Sequence, residues 1–266
     1  MTPLRLDGGG RDLFAIHHPA RAGHETGDAM LMCNPYGHEA IRAHRLYRVL
    51  GERLAAAGVH VLRFDYHGSG DSSGDDADFD LAGAVADTLI AAAELRRRSG
   101  AARLSLLGLR LGALVAQRAA ATLEVDRLVQ LEPIGDGARY LAQLAAAHEA
   151  ELGMAFGRRW GREPALRARN RDADGAEVLG FALSASCRGQ IVEALREPSL
   201  PRCRLALVVS DDDAVRERWA GVDGARCVAS ASEVDWTTSD SLNATLVPPA
   251  WIELVLRTMA QEGARA

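Results

Sequence analysis

Leu106-Leu107-Gly108-Leu109-Arg110-Leu111-Gly112-Ala113-Leu114-Val115-Ala116 is the stretch whose reading decides the fold. An apolar run ends at Leu109, glycines stand at 108 and 112 on either side of Arg110, and small and apolar residues follow at helical spacing. That layout is a buried strand turning sharply into a helix, with the glycines allowing the turn and the middle side chain projected at its apex. Ligands of open parallel sheets bind just beyond the carboxyl ends of the strands, so position 110 is the first place to look for chemistry.

On either side, AMLMCNPY (29–36), VHVLRFDY (59–66), RLSLLGL (103–109) and RLVQLEP (127–133) are short apolar runs, separated by helical segments at about 40–57, 80–98 and 112–122. Such alternation is the pattern of βαβ units and a mostly parallel twisted sheet with helices on both faces. Leu4–Leu6 and Leu13–His17 flank the turn-rich DGGGRD and predict an N-terminal β-hairpin. After Pro133 the alternation stops for about 70 residues. It resumes with RLALVVS (204–210), a helix near 213–220, ARCVAS (225–230) and a last helix from about 249 to 262. The expectation is a core built from residues 1–133 and 201–266, with 134–200 inserted as a helical lid containing a small hairpin. Phe156, Trp160 and Phe181 give that insertion an apolar wall.

The 266 residues suffice for one large α/β core. A net charge of −5 and a pI of about 5.9 offer no basic footprint for nucleic acid or an anionic membrane. No stretch approaches the ~18 apolar residues of a membrane span, and the N-terminus lacks a basic segment followed by an apolar core, so a cytoplasmic location is expected. Cys33, Cys187, Cys203 and Cys227 show no C-x-x-C spacing, and neither a metal nor a cofactor is indicated.

In acyl-transfer enzymes built on a nucleophile elbow, the apex residue attacks and the next backbone N–H, here that of Leu111, faces the developing oxyanion. Arg110 cannot attack, because its guanidinium stays protonated and offers donors with no lone pair. The histidines give an independent check. All eight, from His17 to His148, precede residue 149, whereas the base of such a triad follows the last strand, where the chain reads ASEVDWTTSD (231–240). Asp213, in Asp213-Ala214-Val215, stands where the acid is expected. Gly70-Asp71-Ser72-Ser73-Gly74 also matches G-x-S-x-G, but it leads into an acidic loop instead of a helix and reads as a glycine-rich turn held by Asp65.

The segment NPYGHEAIRAHRLYRVLGERLAAAGVHVLRFDYHGSGDSSGD (34–75) resembles the oxyanion loop, first long helix and D-x-x-G-x-G-D-S loop of the serine-aminopeptidase-like branch of the α/β-hydrolase superfamily. GLRLGALVA (108–116) and EVDWTTSD (233–240) are similar to the hydrolase-like proteins associated with exosortase A systems, some of which carry arginine at the elbow. The resemblance implies an α/β-hydrolase fold with a lid, an oxyanion loop around Tyr36 and Gly37, an elbow at Arg110 and Leu111, and an acid at Asp213. It departs from the family pattern at Arg110 and at the missing late histidine.

Two functional expectations follow. In the first, the chain is a degenerate hydrolase that binds an acyl, carboxylate or phosphate ligand, or a protein partner, in the inherited pocket, through Tyr36, Gly37, His38, Arg110, Leu111 and Trp236. Arg110 there either pairs with Asp213 or Glu132, since a buried guanidinium demands a carboxylate, or holds the ligand's anion beside the helix N-terminus. In the second, it is an active ester or thioester hydrolase or acyl transferase whose base is relocated to His38 or His67. Trp236 is expected to pack where the absent histidine ring would stand.

Overall fold

The run AMLMC is apolar at successive positions because both of its faces are covered. Within β3 (Asp28–Cys33), Ala29, Leu31 and Cys33 join one hydrophobic cluster while Met30 and Met32 join the other, the period-two partition of a strand deep inside a sheet. The computed structural model describes residues 1–166, 177–196, 201–230, 236 and 247–261. Its main sheet is formed by β1 (Thr2–Leu6), β2 (Leu13–His18), β3, β4 (His60–Phe64), β5 (Arg103–Leu109), β6 (Arg127–Leu131), β9 (Leu205–Val209) and β10 (Ala225–Val228). The spatial order is β1-β2-β4-β3-β5-β6-β9-β10. The β1–β2 and β2–β4 pairs are antiparallel, and every pair from β4 to β10 is parallel.

Helices α1 (His38–Ala56) and α8 (Pro249–Ala260) cover the Met30 face, and α2 (Leu81–Ser99) and α3 (Leu111–Ala120) cover the other. In α1 the buried residues Ala43, Leu46, Tyr47, Leu50 and Leu54 follow one another at helical spacing. The side chain of Asp80 caps α2 by accepting from Gly83 N, and Gly100 ends the helix in the left-handed conformation. Between β6 and β9 the chain leaves the sheet for α4 (Gly137–Phe156), α5 (Arg158–Arg162), a hairpin of β7 (Glu177–Val178) and β8 (Phe181–Ala182), and α6 (Ala185–Arg196). Helix α7 (Asp213–Trp219) follows β9. No helix among the described residues is long and apolar enough to cross a membrane.

After β3 the chain adds β4 on one side and then returns to place β5 on the other. That reversal opens a crevice beyond the carboxyl ends of β3 and β5. The turns at Asn34–Gly37 and at Arg110 therefore meet at the same end of the sheet.

Candidate functional site

Arg110 caps α3 with φ 53° and ψ −120°, a conformation that L-residues other than glycine avoid. The turn is forced by close approach on both sides. A Cβ on Gly108 would lie 2.2 Å from Gly112 O, and one on Gly112 would lie 2.2 Å from Cys33 O. The Arg110 backbone N–H donates to Leu131 O at 3.0 Å, which ties the apex to the next strand. Leu111 is buried and opens α3, so its N–H belongs to the first turn, where no intrahelical acceptor exists.

The Arg110 side chain meets neither Asp213 nor Glu132 directly, contrary to the pairing expected from sequence. Its Nε donates to Glu39 Oε1 at 3.0 Å, with side-chain exposures of 17% and 1%. Tyr140, from α4, donates its hydroxyl to Glu39 Oε2 at 3.1 Å and places its ring 5.4 Å from the guanidinium carbon. Burial pulls the guanidinium pKa down, but Glu39 outweighs it and holds the group above its ordinary value. Glu39 escapes notice in the sequence because an acidic residue in the first turn of a helix is already explained by the helix dipole. Tyr140 escapes because the insertion's packing onto the elbow has no local signature.

Glu132 is a second charged residue with positive φ, at 42°. Its carboxylate accepts from Ser230 Oγ at 2.7 Å and from Trp236 Nε1 at 3.2 Å, and burial pushes its pKa up. Trp236 is buried and stacks on Trp251 at 6.1 Å. The rest of EVDWTTSD lies outside the described residues. Asp211 accepts from Ser230 N at 3.0 Å, and Asp212 caps α7 through Ala214 N at 2.9 Å. Asp213 stands outside this network: its side chain is 83% exposed and pairs with Arg216.

These groups enclose a cavity of ≈ 220 Å³ lined by Arg110, Glu132, Asp136, Arg139, Tyr140, Gln143, Ser210, Asp211 and Asp212, among others. Tyr36, Gly37 and His38 do not reach it. With Glu39 and Tyr140 they line a separate crevice of only ≈ 10 Å³, about one water. Tyr36 spends its hydroxyl on Asp76 O at 3.3 Å and on Ala182 O, and burial pushes its pKa up. His38 has a buried Nε2 with no hydrogen-bond partner among the described residues, and burial pulls its pKa down. His67 is held in the glycine-rich loop, its N–H donating to Asp87 at 2.9 Å and its Nδ1 lying 3.1 Å from Ser73 Oγ. Ser72 Oγ donates to Asp65 O and accepts from Phe14 N, so this G-x-S-x-G stretch fastens β2 to the core. Asp65 accepts from Asp71 N at 3.1 Å and thereby holds the turn. Among the described residues, no group of three or more His, Cys, Asp or Glu is placed to hold a metal.

The structure is similar to Est1E from Butyrivibrio proteoclasticus, with a TM-score of 0.63 and 17% identity over 98% of this chain and 100% of that one. It is also similar to mouse α/β-hydrolase domain-containing protein 10, at 0.57 and 16% over 98% and 97%, and to the bottromycin epimerase BotH bound to bottromycin A2, at 0.58 and 19% over 98% of each chain. Among curated proteins no sequence match is found. The family model of the serine aminopeptidases, S33, matches residues 38–174, which span α1, the glycine-rich loop, the elbow and the start of the insertion. The chain belongs to this serine-aminopeptidase-like family of α/β-hydrolases.

Proposed function

We propose that the chain is a non-hydrolytic member of its family that binds a small polar ligand in the cavity beside the elbow. The observation that carries this reading is the Arg110–Glu39 pair. A buried cation, already bonded to a carboxylate and stacked on Tyr140, fills the place of a nucleophile. Covalent catalysis there requires a lone pair that a guanidinium lacks. Between Glu39, Tyr140 and the Tyr36 side of the oxyanion loop only a crevice of ≈ 10 Å³ is left, too small for an acyl group beside the Arg110–Glu39 pair. The insertion serves as a lid in this reading, since Tyr140 of α4 lines the cavity. The finer kinship to proteins of exosortase A systems rests on GLRLGALVA and EVDWTTSD alone.

Charge sets the ligand class. Four carboxylates, from Glu132, Asp136, Asp211 and Asp212, face the cavity against the guanidiniums of Arg110 and Arg139, and Glu39 already takes the charge of Arg110. This balance favours a ligand presenting an ammonium or hydroxyl donors over the carboxylate or phosphate that an unpaired Arg110 would select. A fold neighbour named as an epimerase illustrates that this architecture carries work other than hydrolysis.

One observation favours hydrolysis by a relocated base: the unpartnered ring nitrogen of His38. Reaction with a fluorophosphonate probe followed by intact mass, with aryl-ester turnover measured for the native chain, His38→Ala and His67→Ala, separates the readings. Unlabelled protein and turnover indifferent to both substitutions is the expected result. A stoichiometric adduct, or a rate abolished in His38→Ala, overturns the proposal. Thermal-shift screening with small amines and polyols against matched carboxylates then tests the ligand class.

A further inference from the structure

A second cavity, of ≈ 800 Å³, shares no lining residue with the elbow cavity. It lies between α1 and strands β2 and β4, and its volume falls in the range of small-molecule sites. Its walls are apolar, from Phe14, Ile16, Ile41, Phe64 and Phe181. Ile41, at 58% exposure, is one of three large hydrophobic side chains among the described residues that stay in water. At the polar end of the cavity stands Arg63, which is 6% exposed.

The other buried arginines of known pairing carry carboxylates: Arg110 meets Glu39 at 3.0 Å, and Arg127 meets Asp28 at 3.1 Å and Asp126 at 2.7 Å. Arg63 differs. Among the described residues its guanidinium has one hydrogen-bond partner, the neutral ring of His18, which accepts from Nε at 3.1 Å. Arg63 lines the cavity with no carboxylate within ion-pair distance among the described residues, and burial pulls its pKa down against the opposing charge of Asp65. A largely buried guanidinium without a carboxylate partner offers its free N–H donors to an anion that can bind both terminal nitrogens. Asp65 and Asp71 also line the space, but both Asp65 oxygens are engaged, by Asn34 Nδ2 and Asp71 N.

We propose that this groove binds an amphipathic monocarboxylate, its carboxylate on Arg63 and its hydrocarbon body along Phe14, Ile16, Ile41 and Phe181. The site shares no lining residue with the elbow cavity, although Asn34 and Gly37 of the oxyanion loop form part of its wall.

Isothermal titration of the full chain with octanoate, and with 1-octanol as the uncharged control of similar length, tests it. Octanoate is expected to bind once per chain at millimolar concentration or below, and octanol at least ~tenfold more weakly. Arg63→Gln is expected to weaken octanoate at least ~tenfold while leaving octanol within about twofold, since Gln cannot supply the charge. Ile41→Asp, an exposed position whose change spares the core, is expected to abolish octanoate binding by placing a like charge at the rim. Equal binding of octanoate and octanol, no binding of octanoate, or octanoate binding unchanged in a folded Arg63→Gln protein overturns the proposal. Should Arg63→Gln fail to fold, unchanged binding in Ile41→Asp does so.

Discussion

At Arg110 a strained backbone and a buried charge coincide, and a second charged residue with positive φ, Glu132, faces the same cavity. Two such residues side by side mark a place where the surrounding structure overrides local preference. Glu39→Gln removes the carboxylate and leaves the guanidinium buried, so unfolding in urea is expected to show a loss of about 3 kcal/mol or more. Replacing both partners by Met is expected to recover most of that loss, because no uncompensated charge is left behind. Recovery no better than in the single variant would mean that Tyr140 and the turn, rather than the pair, hold the site. Arg110→Ser is expected to gain no burst kinetics and no acyl adduct, since no histidine follows residue 148 to activate the hydroxyl. That an arginine stands at the apex of the strand-to-helix turn is legible from the sequence alone. Its partner is not, because Glu39 stands 71 positions away and nothing in the intervening chain records their meeting.

Elements were the legible level. Apolar runs of strand length between amphipathic segments place β3 to β6, β9 and β10, and DGGGRD places the β1–β2 hairpin, because burial on two faces leaves no polar positions in a central strand. The contacts between elements were not legible, since the glycines of the elbow read only as permitting the turn. Gly112 touches Cys33 O so closely that Gly112→Ala is expected to cost about 3 kcal/mol or more, measured as a fall in the urea midpoint. On β2, His17 and His18 are buried, and burial pulls each pKa down to about 4 from an ordinary 6.5. The unfolded chain therefore takes up protons that the folded one refuses between those values. Stability is fully held above pH 6.5 and is expected to drop as pH falls toward about 4. His18→Gln, whose amide oxygen still accepts from Arg63, is expected to flatten the slope of stability against pH. An unchanged slope would assign acid sensitivity to other groups.

Across the whole molecule, the reversal of strand order beside β3 opens the crevice at the end of the sheet, and residues of α4 line the cavity there. That the insertion is helical was legible from composition. That its Tyr140 reaches the elbow was not, since this depends on how a 20-residue helix lies on the sheet. Tyr140 carries one more consequence. By bonding Glu39 and stacking on Arg110, it clasps α4 to two elements of the core at once. Backbone amides around Tyr140 are expected to exchange with deuterium far more slowly than those of the exposed α5, and Tyr140→Phe is expected to speed them. If the insertion acts as the proposed lid, lifting α4 hydrates the Arg110–Glu39 pair, and entry to the cavity is then timed by the breathing of this helix. A bound molecule's residence time would then depend on a contact that the molecule itself never makes.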